Sequence, residues 1–139
     1  MSWVKKKVEE VTSKYNTNNP FELASLMKIK VIHWNLHEEI NGFYKYDRRN
    51  KFIFINNNLS NEMQRFVCAH ELGHAVLHPR SNTPFLRQNT LFSINKIEVE
   101  ANSFAINLLL YYESLQDYET SFDIMRENGI PYEMERYIH

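Results

Sequence analysis

The segment Ala69-His70-Glu71-Leu72-Gly73-His74-Ala75-Val76-Leu77-His78 restricts this chain more than any other stretch of it. Ser60 can cap a helix that runs through Leu77 and stops near Pro79, so the segment is expected to be helical. Residues four apart on a helix share a face, which lets His70 and His74 aim imidazole nitrogens at one point. Zinc accepts such nitrogens at about 2.0–2.1 Å in a tetrahedral shell. Glu71 lies about 100° around the helix from His70. It is therefore free to face solvent activated at the ion and take its proton. The competing reading is a helix whose stripe Met63, Val67, His70, His74 and Leu77 simply fills core positions. A shuffled chain of this composition would show His-Glu-x-x-His only about 0.03 times, which favours the metal reading.

A catalytic zinc takes three protein ligands and keeps one position open. His78 continues the same face, but at 1.5 Å per residue it stands about 12 Å along the axis from His70. No glycine breaks the helix between them, so His78 is expected to contact terminal carbonyls instead. The third ligand is expected from a second long helix, roughly Lys96 to Tyr112. There Glu98 shares a face with Ala101, Asn102, Ala105 and Leu109, small and apolar enough to approach Gly73 and Ala75. Glu100 shares its side with Ser103 and Asn107 and is expected to be more solvated. Glu98 is thus the expected ligand. Asn102, one turn further on, is placed to hold the far nitrogen of a ligating histidine.

Around these helices the pattern is mixed. Trp3 or Val4, Val8, Val11 and Tyr15 recur at helical spacing, and Asn19-Pro20 opens a short helix through Met27. Lys28 to Trp34 alternates as a strand. Gly42 to Tyr46 and Lys51 to Ile55 flank a polar four-residue connection as a hairpin, with Tyr44 and Tyr46 on a candidate free edge. Arg80 to Asn95 reads as an irregular connection, and two short helical pieces close the chain, the second opened by Gly129-Ile130-Pro131. With 43% hydrophobic residues and no long linker or repeat, residues 1–139 are expected to form one α+β domain. Its sheet should have about three strands, mostly antiparallel, packed on helices that include the two above. A core over residues 1–112 would carry a C-terminal helical extension over residues 113–139.

A net charge of −1 argues against a direct nucleic-acid partner. The single cysteine, Cys68, has no partner for an internal disulfide. No apolar run approaches membrane-span length, and the basic N-terminal stretch lacks an apolar core behind it. A cytoplasmic location without membrane attachment is expected.

His70-Glu71-Leu72-Gly73-His74, followed by Ile97-Glu98-Val99-Glu100-Ala101-Asn102-Ser103-Phe104-Ala105 and Leu108-Leu109, resembles the ImmA/IrrE family of zinc metallopeptidases. Asn19-Pro20-Phe21-Glu22-Leu23-Ala24, the strand Ile29 to Ile32 and the hairpin look like that family's N-terminal layout, so the resemblance spans about residues 1–112. It implies a compact zincin-like core and an endopeptidase holding one Zn2+ per chain through His70, His74 and Glu98, with Glu71 as base. Within the family the chain is most similar to ImmA-type anti-repressors of prophages and integrative elements. That likeness implies a protein substrate, a helix-turn-helix repressor whose cleavage releases the element's genes. The acidic tail over residues 121–137 is expected to cap the domain or dock the substrate. The alternative is a non-hydrolytic regulator that binds a repressor or another partner through the same cleft. Retention of Glu71 beside the two histidines favours the enzyme.

Overall fold

Two aromatic-rich runs pair as β2 (Ile40–Asp47) and β3 (Asn50–Asn56), antiparallel and closed by the pair Asp47↔Asn50. The turn is therefore only Arg48-Arg49, both in the left-handed region at φ 50° and 66°. That is the backbone a two-residue hairpin turn requires. The structure, a computed structural model, describes residues 1–86 and 95–138. β1 (Lys30–Trp34) lies parallel to β3, and a further strand, β4 (Thr83–Leu86), pairs antiparallel with β2. The strand order is β1-β3-β2-β4. The fold is α+β as expected, with a fourth strand drawn from residues that read as an irregular connection. The rest of that connection, residues 87–94, lies outside the described residues.

Because β4 pairs with β2 up to Tyr44, Tyr44 does not border a free edge, while Tyr46 lies beyond that ladder with its N–H on Asn82 Oδ1 at 2.9 Å; the outer strands are β1 and β4. Tyr44 is buried, and its hydroxyl donates to the Pro79 carbonyl at 2.5 Å. That bond ties the middle of the sheet to the chain just past the histidine helix. The connection from β1 to β2 passes the end of β3, where the buried Asn56 amide donates to the carbonyls of Leu36, His37 and Ile40.

The other layers are built by α1 (Ser2–Tyr15), α2 (Pro20–Leu26), α3 (Asn61–Leu77) and α4 (Lys96–Leu109). Asn19 caps α2 by accepting from Phe21 and Glu22 N–H at 2.9 and 3.2 Å, and the Ser60 hydroxyl accepts from Met63 N–H at 3.1 Å to start α3. Between layers, α3 lies against β2 and β3 on one side and along α4 on the other, with α1 behind α4. Ile53, Ile55, Phe66, Leu72, Phe104 and Leu108 fill the space between them. Gly73 sets how close α3 and α4 come: a Cβ there would stand 3.1 Å from Phe104 Cβ and 3.2 Å from Ala101 Cα. After α4 the chain forms a 3-10 turn (Leu115–Asp117), a short helix α5 (Ser121–Glu127) and a 3-10 segment (Tyr132–Tyr137). Gly129, at φ 66°, terminates α5 rather than opening the next piece, as Ile130 N–H reaches back to the Met125 carbonyl at 2.9 Å. No helix among the described residues is long and apolar enough to cross a membrane.

The buried stripe of α1 is Val4, Val8 and Thr12, while Trp3 stays exposed. Among the described residues the Thr12 hydroxyl, sealed from water, has no hydrogen-bond partner. Thr12→Val keeps the shape and removes the unpaired group, so it should raise unfolding stability by about 1 kcal/mol in urea melts. A variant less stable than the parent would show that the hydroxyl is bonded in solution.

Candidate metal centre

The contact of α3 with α4 places four ionisable groups in one sealed spot. His70, Glu71 and His74 come from α3 and are at most 1% exposed; Glu98, from the first turn of α4, is 6% exposed. One ligand atom from each of His70, Glu71 and His74 lies within 4.8 Å of the others. The Glu98 carboxylate spans both rings, with Oε2 at 3.4 Å from His70 Nε2 and Oε1 at 2.7 Å from His74 Nε2. The two rings stand nearly perpendicular at 82°, with centroids 4.9 Å apart. The structure thus brings Glu98 to the two histidines, as helical facing suggested.

The donor set suits a metal on three observations. Two donors sharing a tetrahedral zinc ion stand roughly 3.3 Å apart, close to the 3.4 Å between His70 Nε2 and Glu98 Oε2. His74 Nε2 and Glu98 Oε1 approach at 2.7 Å, so one carboxylate bridges both imidazoles at the same spot. Both Glu71 oxygens are buried and, among the described residues, without a hydrogen-bond partner. Buried polar groups are nearly always paired, so such a concentration points to a missing positive charge or solvent at this spot.

The far nitrogens are held as a metal site requires. His70 Nδ1 bonds Asn102 Oδ1 at 2.8 Å, and the Asn102 amide donates to the Tyr137 hydroxyl at 3.3 Å. His74 Nδ1 bonds His78 Nδ1 at 3.0 Å, and His78 Nε2 bonds Glu100 Oε1 at 2.8 Å. Two expectations are corrected here. Glu100 is buried, not solvated, and while the His78 backbone N–H donates to the His74 carbonyl at 2.7 Å, its ring turns back over His74 to Glu100. The sequence held one sign of this link, the third histidine at the next four-residue step; nothing in it marked Tyr137.

The groups perturb one another strongly. Burial, and then the negative charge of Glu98, push the Glu71 carboxyl well above the usual carboxylate range. Burial would raise Glu98 too, but the adjacent His70 and His74 rings outweigh it and hold Glu98 below that range. His74 is lowered, first by burial and also by His70, against the pull of Glu98. The site therefore contains one carboxylate suited to stay ionised beside a cation and another suited to take up a proton.

The Peptidase M78 family, described as the IrrE N-terminal-like domain, matches residues 24–137. The uncharacterized immunity region protein 2 of Bacillus phage phi105 is 56% identical over 135 residues, which span 94% of this chain and 85% of that protein. Metallopeptidase ImmA of Bacillus subtilis strain 168 is 33% identical over 114 residues, spanning 82% of this chain and 67% of ImmA.

Proposed function

The chain belongs to the Peptidase M78 family of IrrE N-terminal-like domains, and from that premise we propose that it is a zinc-dependent endopeptidase that cleaves a helix-turn-helix repressor. In this reading residues 1–139 act as one metallopeptidase domain, with His70, His74 and Glu98 as the metal ligands and Glu71 as the base. The likeness to Metallopeptidase ImmA supports the peptidase chemistry, and the likeness to a phage immunity region protein supports a repressor as substrate. The observation that carries the reading is Glu71, buried and, among the described residues, unpartnered beside two imidazoles and a second carboxylate.

A zinc ion held there would supply Lewis-acid activation of water and of the scissile carbonyl. Glu71 takes the proton that the attacking water gives up. Its raised affinity for protons, caused by burial and by Glu98, makes it a stronger base than an exposed carboxylate. The same carboxyl then delivers that proton to the leaving amine nitrogen, ending the cycle as it began. Glu98, kept ionised by the rings beside it, supplies the negative charge that balances the cation. Asn102 fixes the tautomer and tilt of His70 by accepting its Nδ1–H.

The test is co-expression with a helix-turn-helix repressor of a phage or mobile element, followed by mass spectrometry of the fragments. One defined cut, abolished by a zinc chelator and restored by zinc, is the expected result. Repressor that binds the protein but stays intact with zinc present would replace the enzyme by a non-hydrolytic binding protein.

A further inference from the structure

The third histidine of α3 stands outside the ligand set, yet it is built into it. His78 is the residue at which α3 ends, with φ −134° and ψ 57°, and this break lets its ring fold back onto His74. The two Nδ1 atoms are 3.0 Å apart, and His78 Nε2 is 2.8 Å from Glu100 Oε1. The side chains of His78 and Glu100 are only 9% and 7% exposed, so water does not substitute for these bonds.

Donor and acceptor roles follow along the row. A carboxylate oxygen accepts, so the 2.8 Å contact has His78 Nε2–H donating to Glu100 Oε1. With its proton on Nε2 the ring presents the Nδ1 lone pair to the 3.0 Å contact, and His74 Nδ1 is the N–H there. That leaves the His74 Nε2 lone pair directed at the Glu98 carboxylate, beside His70. Metal-binding histidines commonly donate their other N–H to a carboxylate, which fixes the ring and strengthens the ligand. Here a second imidazole is inserted between carboxylate and ligand. Glu100 comes from the same turn of α4 as Glu98, so one helix supplies both a carboxylate facing the rings' Nε2 atoms and one acting from behind.

We propose that His78 and Glu100 are positioning residues: they hold His74 in the metal-binding tautomer through a carboxylate–imidazole–imidazole row. This rests on the reading of His74 as a metal ligand, and the experiment separates the two. Zinc affinity is measured by competition with a chromogenic chelator for the parent, His74→Ala, His78→Ala, His78→Gln and Glu100→Gln, alongside kcat and KM for repressor cleavage. The parent should bind about one zinc, and His74→Ala should lose it. His78→Ala should weaken zinc binding by about 10–100-fold, the usual effect of losing an outer partner of a metal ligand. His78→Gln, whose amide can accept from His74 and donate to Glu100, should recover most of that loss. Glu100→Gln should weaken binding in the parent but add little in the His78→Ala background, because the carboxylate acts only through the ring. In 15N NMR of the zinc-loaded protein, His78 should carry its proton on Nε2.

A parent that binds no zinc would overturn the ligand assignment and the row with it. Zinc binding lost in His74→Ala but unchanged in His78→Ala and Glu100→Gln would overturn the row alone. If His78→Ala fails to fold, His78→Gln and Glu100→Gln decide: parent-like affinity in both with His78 protonated on Nδ1 refutes the proposal, and weakened affinity in Glu100→Gln upholds it.

Discussion

Glu71→Gln should leave the fold and zinc binding intact and lower the rate of repressor cleavage by about 10⁴-fold. Proton transfer by one positioned side chain contributes roughly 10²–10⁴, and Glu71 is assigned both the uptake and the delivery of the proton, which places the loss at the upper end. Glutamine matches the shape of the buried side chain but does not take up the proton. The measurement is single-turnover cleavage with zinc content determined on the same sample; turnover within tenfold of the parent would remove Glu71 from its role. A second consequence concerns stability without metal. Glu71 has a raised pKa in the folded chain, so below the unfolded value both states are protonated and the group makes no difference. As pH rises past that value, the unfolded chain releases the proton while the folded chain retains it, and folding is penalised. Metal-free Glu71→Gln lacks that penalty, so its stability advantage over the parent should be absent near pH 4 and grow toward neutral pH in urea melts.

Glu98→Ala should abolish most of the stabilisation that zinc confers. Zinc at about a thousandfold over its Kd stabilises a protein by about 4 kcal/mol, which for a chain of this length raises Tm by about 14 °C. Binding of about 10–16 kcal/mol shared over four ligands assigns about 3 kcal/mol to one, on the order of a hundredfold in affinity. At the same zinc concentration the variant should therefore gain only about 5 °C. Scanning calorimetry of parent and variant, each with and without zinc, reads this directly. Equal shifts in the two proteins would place the ion elsewhere.

The legible part of the site was the part governed by helical spacing. His70, Glu71 and His74 follow from a four-residue step within one helix, and the orientation of Glu98 follows from the small residues that share its face. Periodicity marks a polar residue such as Glu100 as outward-facing unless its partner is known, and that partner, His78, lies 22 residues away. The hairpin was legible from its aromatic runs, but its turn was read two residues too long, as Asp47 and Asn50 close the ladder themselves. The parallel seat of β1 beside β3 and the addition of β4 depend on long-range pairing, which alternation along a single strand does not encode. Tyr137 reaches Asn102 only because the last 3-10 segment folds against α4, and no local pattern reports that contact.

The gap between the two ligand-bearing helices is gauged by backbone, since an added methyl on Gly73 would press against Ala101 Cα and its carbonyl at 3.2 Å. Side chains around the centre can therefore drift during evolution, exchanging one apolar shape for another, without altering its calibre. Drift at residue 73 has less freedom, because even a methyl there obliges Phe104 or the Ala101 backbone to give by a few tenths of an ångström.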